Sequence, residues 1–255
     1  MKRILLVLAT LLMHTAAAEE LSATLDWSQR VGLGLTVSGV IADVAVRPGQ
    51  RVEKGQLLVA LDDSHLRARI VRAEAELEEA RQNRDEGARE LERSTELYDR
   101  TVLSDHDLQL AQIGEARAKA TWHKARADLA EARILLRQSR IEAPFSGLVI
   151  SVTAQPGQAV INGLRAETLI ELARDDRLVA RAAIGAELAA RLESGAGASV
   201  EVSGQRLEAR IDRVGLEPVE TAGNGAPLYE LRVMFGRPEG LPARTGLPLV
   251  IHTLE

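Results

Sequence analysis

Apolar positions along this chain keep two different periods. Between about residues 64 and 138 they recur every three or four residues; on both sides of that stretch they alternate. In the first arm Leu66, Ile70, Ala73, Leu77, Ala80, Arg84, Gly87, Leu91, Ser94 and Tyr98 follow an unbroken 4-3 spacing. Most are apolar, and the positions between them are dense in Glu and Arg. This heptad pattern predicts a helix over 64–102 with a coiled-coil seam and a solvated outer face. Ser104 and Asp105 interrupt the pattern and offer a fresh N-cap. Leu108, Ala111, Glu115, Ala118, Trp122, Ala125, Leu129, Ala132 and Leu136 then carry the spacing through a second helix, 105–138. So short a connection makes the two helices antiparallel neighbours. Arms of about 35 to 39 residues at 1.5 Å each reach roughly 50 to 58 Å.

The alternating segments flank this hairpin, and they repeat. Residues 38–55 read SGVIADVAVRPGQRVEKG and residues 146–163 read SGLVISVTAQPGQAVING, a constant offset of 108 with 8 of 18 positions identical. Each copy predicts a few short strands: 40–46, a Pro-Gly turn, then 57–61 in the first, and 168–172 closing the second after a three-residue insertion. Neither copy closes a core alone, so the two are expected to fold together as a small sandwich. Asp62, Asp63 and Ser64 supply cap oxygens where the first helix starts, and Pro144 is read as the end of the helical region.

From Leu178 onward the chain is β-rich. Strands are predicted at 179–184, 199–202, 207–214, 228–234 and 247–253, with a short helix at 186–193 and a mobile loop at 217–227. Five short strands with Gly/Pro turns suggest a small barrel, which the segment 21–33 could complete. The fold class is therefore mainly β with a long α-helical hairpin: a split sandwich, an antiparallel coiled coil and a small barrel.

Composition narrows the chemistry. There is no cysteine, which removes disulfides, thiolate metal sites and thiol nucleophiles. Lys2 and Arg3, the apolar run 4–13 and Ala16-Ala17-Ala18 read as a secretory signal over residues 1–18, leaving an exported soluble chain, with an uncleaved short anchor as the alternative. Losing Lys2 and Arg3 takes the formal charge from −5 to −7, which argues against a nucleic-acid partner. The remaining histidines, His65, His106, His123 and His252, are scattered without a partner motif. No H-E-x-x-H, G-x-S-x-G or P-loop pattern occurs, so no enzyme, cofactor or metal is expected.

Gly39 to Leu61, the run IEAPFSG at 141–147 and LPARTGLPLV at 241–250 resemble the periplasmic adaptor proteins, or membrane fusion proteins, of bacterial efflux pumps. The resemblance implies a lipoyl-like sandwich in two halves, 34–62 and 141–175. A coiled-coil hairpin at 63–140 separates them. A barrel domain follows, built from an N-terminal strand at 19–33 and from 176–255. Adaptors that dock onto TolC-type outer-membrane channels carry Arg, Leu four residues on and Ser seven further on. Arg93, Leu97 and Ser104 have that spacing beside the break between the helices, and by resemblance would engage the channel. The implied partners are an inner-membrane transporter, RND-type or alternatively ABC-type, a TolC-type channel and further copies in a ring, a trimer or hexamer. The membrane-proximal domain of many such adaptors is expected to be absent.

Two other readings compete. A lipoyl or biotinyl carrier would present a modified Lys on the tight turn between the halves; here the hairpin replaces that turn, and Lys54 lies in the loop before it. A purely structural coiled-coil protein would dimerise through the seam.

Overall fold

The computed structural model describes residues 19–161, 163, 167–223, 225–242 and 244–253; the signal segment expected at 1–18 lies outside them. In chain order the elements are β1 (Glu19–Trp27), β2 (Arg30–Leu33), β3 (Gly39–Val44), β4 (Arg51–Val52), β5 (Leu57–Leu61), α1 (Ser64–Asp99), α2 (Asp105–Gln138), β6 (Arg140–Glu142), β7 (Gly147–Val152), β8 (Ala159–Val160), β9 (Ile170–Ala173), β10 (Arg177–Gly185), α3 (Ala186–Arg191), β11 (Gly197–Val202), β12 (Gln205–Thr221), β13 (Pro227–Gly236) and β14 (Pro248–Thr253). Among the described residues, Val31–Leu172 forms one compact unit, and those up to Arg30 and from Ala173 form the other.

The first unit holds the sandwich and helices α1 and α2. Its sheets run β2-β9-β7-β4 and β6-β5-β3-β8. The two sequence copies exchange strands. β4 of the first copy pairs with β7 of the second, Arg51 opposite Leu148 and Val52 opposite Gly147. β8 of the second pairs with β3 of the first, Gly39 opposite Val160 and Val40 opposite Ala159. Each bond has a mate at the 108-residue offset. Gly49 N–H donates to the Val149 carbonyl and Gly157 N–H to the Ile41 carbonyl, both at 2.8 Å. The Pro-Gly turns match too: Gln50 accepts from Arg47 N–H at 3.1 Å and Gln158 from Gln155 N–H at 3.0 Å. Gly49 and Gly157 sit at φ +83° and +84°, the left-handed region that favours glycine. Ile41, Leu58, Val149, Leu169, Ile170 and Leu172 are at the centre of the shared core.

The second unit is a closed six-stranded antiparallel barrel, β1-β10-β13-β12-β11-β14. Alternate residues fill it, as a period of two requires: Leu25 and Trp27 from β1, Leu231, Val233 and Phe235 from β13, Val200 from β11 and Ile251 from β14 are all buried. A charge ladder crosses four strands on the outside. Arg181 joins Asp26 at 2.8 Å and Glu230 at 2.7 Å, and Arg213 joins Glu230 at 3.0 Å.

The structure corrects several expectations. Segment 19–33 does not belong wholly to the barrel: β1 does, whereas β2 pairs with β9 in the sandwich. Segment 217–227 is not simply a loop, because β12 continues to Thr221 and pairs with β13 past bulges near Gly215 and Pro218. Pro144 is not where the helical region ends: α2 stops at Gln138, and β6 returns along β5, Ala60 opposite Arg140, before the proline is reached. Asp63 is the N-cap residue of α1 but makes no capping hydrogen bond. It pairs instead with Arg67 at 2.7 Å and Arg140 at 2.9 Å, tying the two roots of the hairpin together.

Candidate partner-binding tip of the hairpin

α1 and α2, of 36 and 34 residues, run side by side from the sandwich. At 1.5 Å per residue each is roughly 50 Å long. Eight of the nine seam positions read in α2 are less exposed than their neighbours, with Ala125, Leu129 and Ala132 buried; Leu136 is half-buried like Leu135 beside it. In α1 the seam holds from Leu66 to Ser94 and then shifts by one residue. Leu97 is half-buried and Tyr98 exposed, the reverse of the heptad reading.

The shift has a cause in the turn. α1 ends at Asp99, three residues before the expected 102, in a Schellman arrangement. Val102 N–H donates to the Leu97 carbonyl at 3.0 Å and Thr101 N–H to the Tyr98 carbonyl at 2.8 Å. Thr101 occupies the left-handed position at φ +59°, where glycine is usual and a β-branched side chain is strained. Val102 follows with 72 % of its surface exposed. Across the turn the Tyr98 phenol hydrogen-bonds the Asp105 carboxylate, which pushes the phenol up from its ordinary pKa.

Ser104 is the N-cap of α2. Its hydroxyl accepts from Asp107 N–H at 3.2 Å and donates to the Asp107 carboxylate at 2.7 Å. Asp105 and Asp107 in the first turn suit the positive end of the helix dipole. Arg93 lies one helical turn before Leu97 on the same face of α1. It is exposed and holds Glu90 at 3.1 Å. The three residues read from the sequence thus fall at one end of the hairpin. Leu97 and Ser104 bracket the turn, and Arg93 sits below them. Ser104 spends its proton on Asp107 and has a second acceptor lone pair beyond the one that takes the Asp107 N–H. Sequence reading missed Tyr98, Thr101 and Val102 as tip residues, since the heptad absorbed the first and nothing marks a left-handed threonine.

Other concave surfaces are less specific. An open cavity of about 550 Å³ beside Arg177, Glu208 and Phe235 lies on the barrel. Among the described residues no cluster of His, Asp or Glu could hold a metal ion, and no helix is long and apolar enough to cross a membrane. Lys54 is exposed, and its N–H donates to the Ser146 hydroxyl at 3.0 Å, within the sandwich rather than on an isolated turn.

Comparison with known proteins gives the same architecture. Residues 29–172 match the family described as the RND MFP, barrel-sandwich hybrid domain. The macrolide export protein MacA of Escherichia coli O157:H7 is 29 % identical over 236 residues, covering 85 % of this chain and 62 % of that protein. The chain therefore spans about three-fifths of the length of that curated relative. Among solved structures, the membrane fusion protein Spr0693 from Streptococcus pneumoniae R6 superposes with a TM-score of 0.72 at 14 % identity, covering 93 % of this chain and all of that one. A MacA–MexA chimera carrying the Pseudomonas aeruginosa MexA α-hairpin gives 0.70 at 24 % identity, covering 93 % and 82 %. At these identities the two structures establish the fold.

Proposed function

Because this chain belongs to the RND membrane fusion protein family through its barrel-sandwich hybrid domain, we propose that it is a periplasmic adaptor of a tripartite efflux system. In this reading it bridges an inner-membrane transporter, RND-type or alternatively ABC-type, to a TolC-type outer-membrane channel. Several copies assemble as a ring, and the hairpin tips meet the channel. The observation that carries the reading is a roughly 50 Å helical hairpin inserted between the two halves of one interlocked sandwich. Such a rod adds no core to the sandwich and serves to reach. The adaptor's work is mechanical and calls for no cofactor and no catalytic residue. Arg93 supplies a directional donor fork, Leu97 an apolar knob and Ser104 an acceptor oxygen. The macrolide export relative supports export as the direction of transport.

Site-directed crosslinking tests this. In cells making the whole pump, Val102→Cys and Ser104→Cys should each give an adduct with the outer-membrane channel. Val71→Cys, equally exposed but near the hairpin root, should give none. Absence of a channel adduct from both tip positions removes the docking role.

A further inference from the structure

The two helices are joined unevenly. Nearer the sandwich, Leu66, Ala73 and Ala80 of α1 and Ala125, Leu129 and Ala132 of α2 are all buried. Two ion pairs cross between the helices in the same half, Arg69 to Glu131 at 3.0 Å and Arg133 to Glu74 at 2.9 Å. This half ends where the Arg84 guanidinium stacks on the Trp122 ring, 4.6 Å from its centre.

Beyond that contact the seam changes character. Among the described residues the one buried helix side chain there is Ser94, a hydroxyl. Among the described residues no ion pair joins the helices there, and the Tyr98–Asp105 hydrogen bond links them only at the turn; Arg89 and Arg93 turn back along α1 to Glu86 and Glu90. Both glycines of the hairpin fall in this outer half. Gly87 brings the backbones together, since a Cβ there would lie 3.3 Å from the Glu115 Cα, but it contributes no side chain to the seam. Gly114 faces open space and packs on nothing. Each weakens its helix relative to alanine. At the far end Thr101 holds its left-handed turn under strain.

From this gradient we infer that the hairpin is divided at the Arg84–Trp122 contact into a firm base and a compliant outer half, which opens on its own while the base and sandwich stay folded. Local opening follows where buried apolar contacts are few and backbone hydrogen bonds are exposed. The inference deepens the docking reading and rests on it only for its purpose: an outer half that yields can fit its tip to the helices of a channel without disturbing the sandwich.

Amide hydrogen exchange on the full chain, read by mass spectrometry, tests the division without any partner. Peptides from 87–97 and 108–118 should exchange at least about tenfold faster than those from 66–80 and 125–135. The double variant Ser94→Ala/Glu115→Leu, which makes the outer seam apolar and keeps the Arg84–Trp122 contact, should slow exchange in the outer half and leave the base unchanged. Equal protection along the hairpin, or a double variant that exchanges as the parent does, overturns the inference. Channel crosslinking from Val102→Cys reads the docking separately. Its loss with the exchange gradient intact sinks the docking and leaves the division standing. Undiminished crosslinking in the stiffened double variant rules out adaptation as the purpose of the division.

Discussion

Single residues at the two ends of the hairpin answer to different forces. At the root, the Arg67 and Arg140 guanidinium groups hydrogen-bond Asp63 and hold its carboxyl at about 2, below its ordinary 3.8. A folded carboxyl with a depressed pKa adds stability that is complete above about 3.8 and is lost as pH falls through about 2. Asp63→Asn should therefore destabilise the fold at neutral pH by about 1 kcal/mol, the size of a largely surface ion pair, and lower the melting temperature. In a pH series that difference should shrink below about pH 3.8 and vanish only below pH 2, and a penalty independent of pH would mean that packing matters here instead of charge. At the tip, a left-handed conformation costs a side chain about 1 kcal/mol, so Thr101→Gly should slow amide exchange at residues 101 and 102 several-fold. Neither role is visible in sequence. Asp63 reads as one of three cap residues, and only the fold brings Arg140 to it across 77 positions. Ser104 is the opposite case: a serine followed three residues later by Asp107, at a break between two heptads, announces its cap directly.

For whole elements, legibility follows periodicity. The seam of α2 was readable residue by residue because a heptad spaces its apolar positions over 34 residues and no tertiary contact competes. The barrel strands were readable for the same reason at period two. The elements that escaped are those too short to carry a period, β4, β6 and β8, of two or three residues each. Such strands exist only through their partners. Residues 217–221 escaped for another reason: Pro218 and Gly223 signal a loop, yet bulges between Val214 and Glu220 let β12 continue along β13. The two hairpin glycines look alike in sequence, and the structure separates them. Gly114→Ala should strengthen α2 by about 1 kcal/mol, the helix propensity of alanine over glycine, since nothing lies within reach of the new methyl. Gly87→Leu should push the helices apart against the Glu115 backbone and speed exchange on both sides of that crossing. Exchange profiles of the two variants should move in opposite directions; the same sign for both would mean the helices are not in close contact at Gly87.

In the molecule as a whole, the duplicated segment and the hairpin are one design. Because each copy lends its shortest strand to the other's sheet, the halves fold jointly, and the chain between them is free to leave and return at a single point. That point is narrow. Leu61 N–H donates to the Ser139 carbonyl at 2.9 Å, so the first strand before the hairpin and the first after it are already hydrogen-bonded neighbours. The sandwich therefore needs only a turn where the hairpin stands. Replacing residues 62–138 with Asn-Gly, a sequence that favours a two-residue antiparallel turn, should leave β5 and β6 as an ordinary hairpin. Calorimetry should then find a cooperative transition retained for the sandwich, and under the proposed adaptor role cells carrying this variant should lose export. If the shortened chain fails to fold, the helices are part of the sandwich's stability rather than a probe mounted on it. If it folds and still supports export, the reach of the hairpin is not what the pump uses.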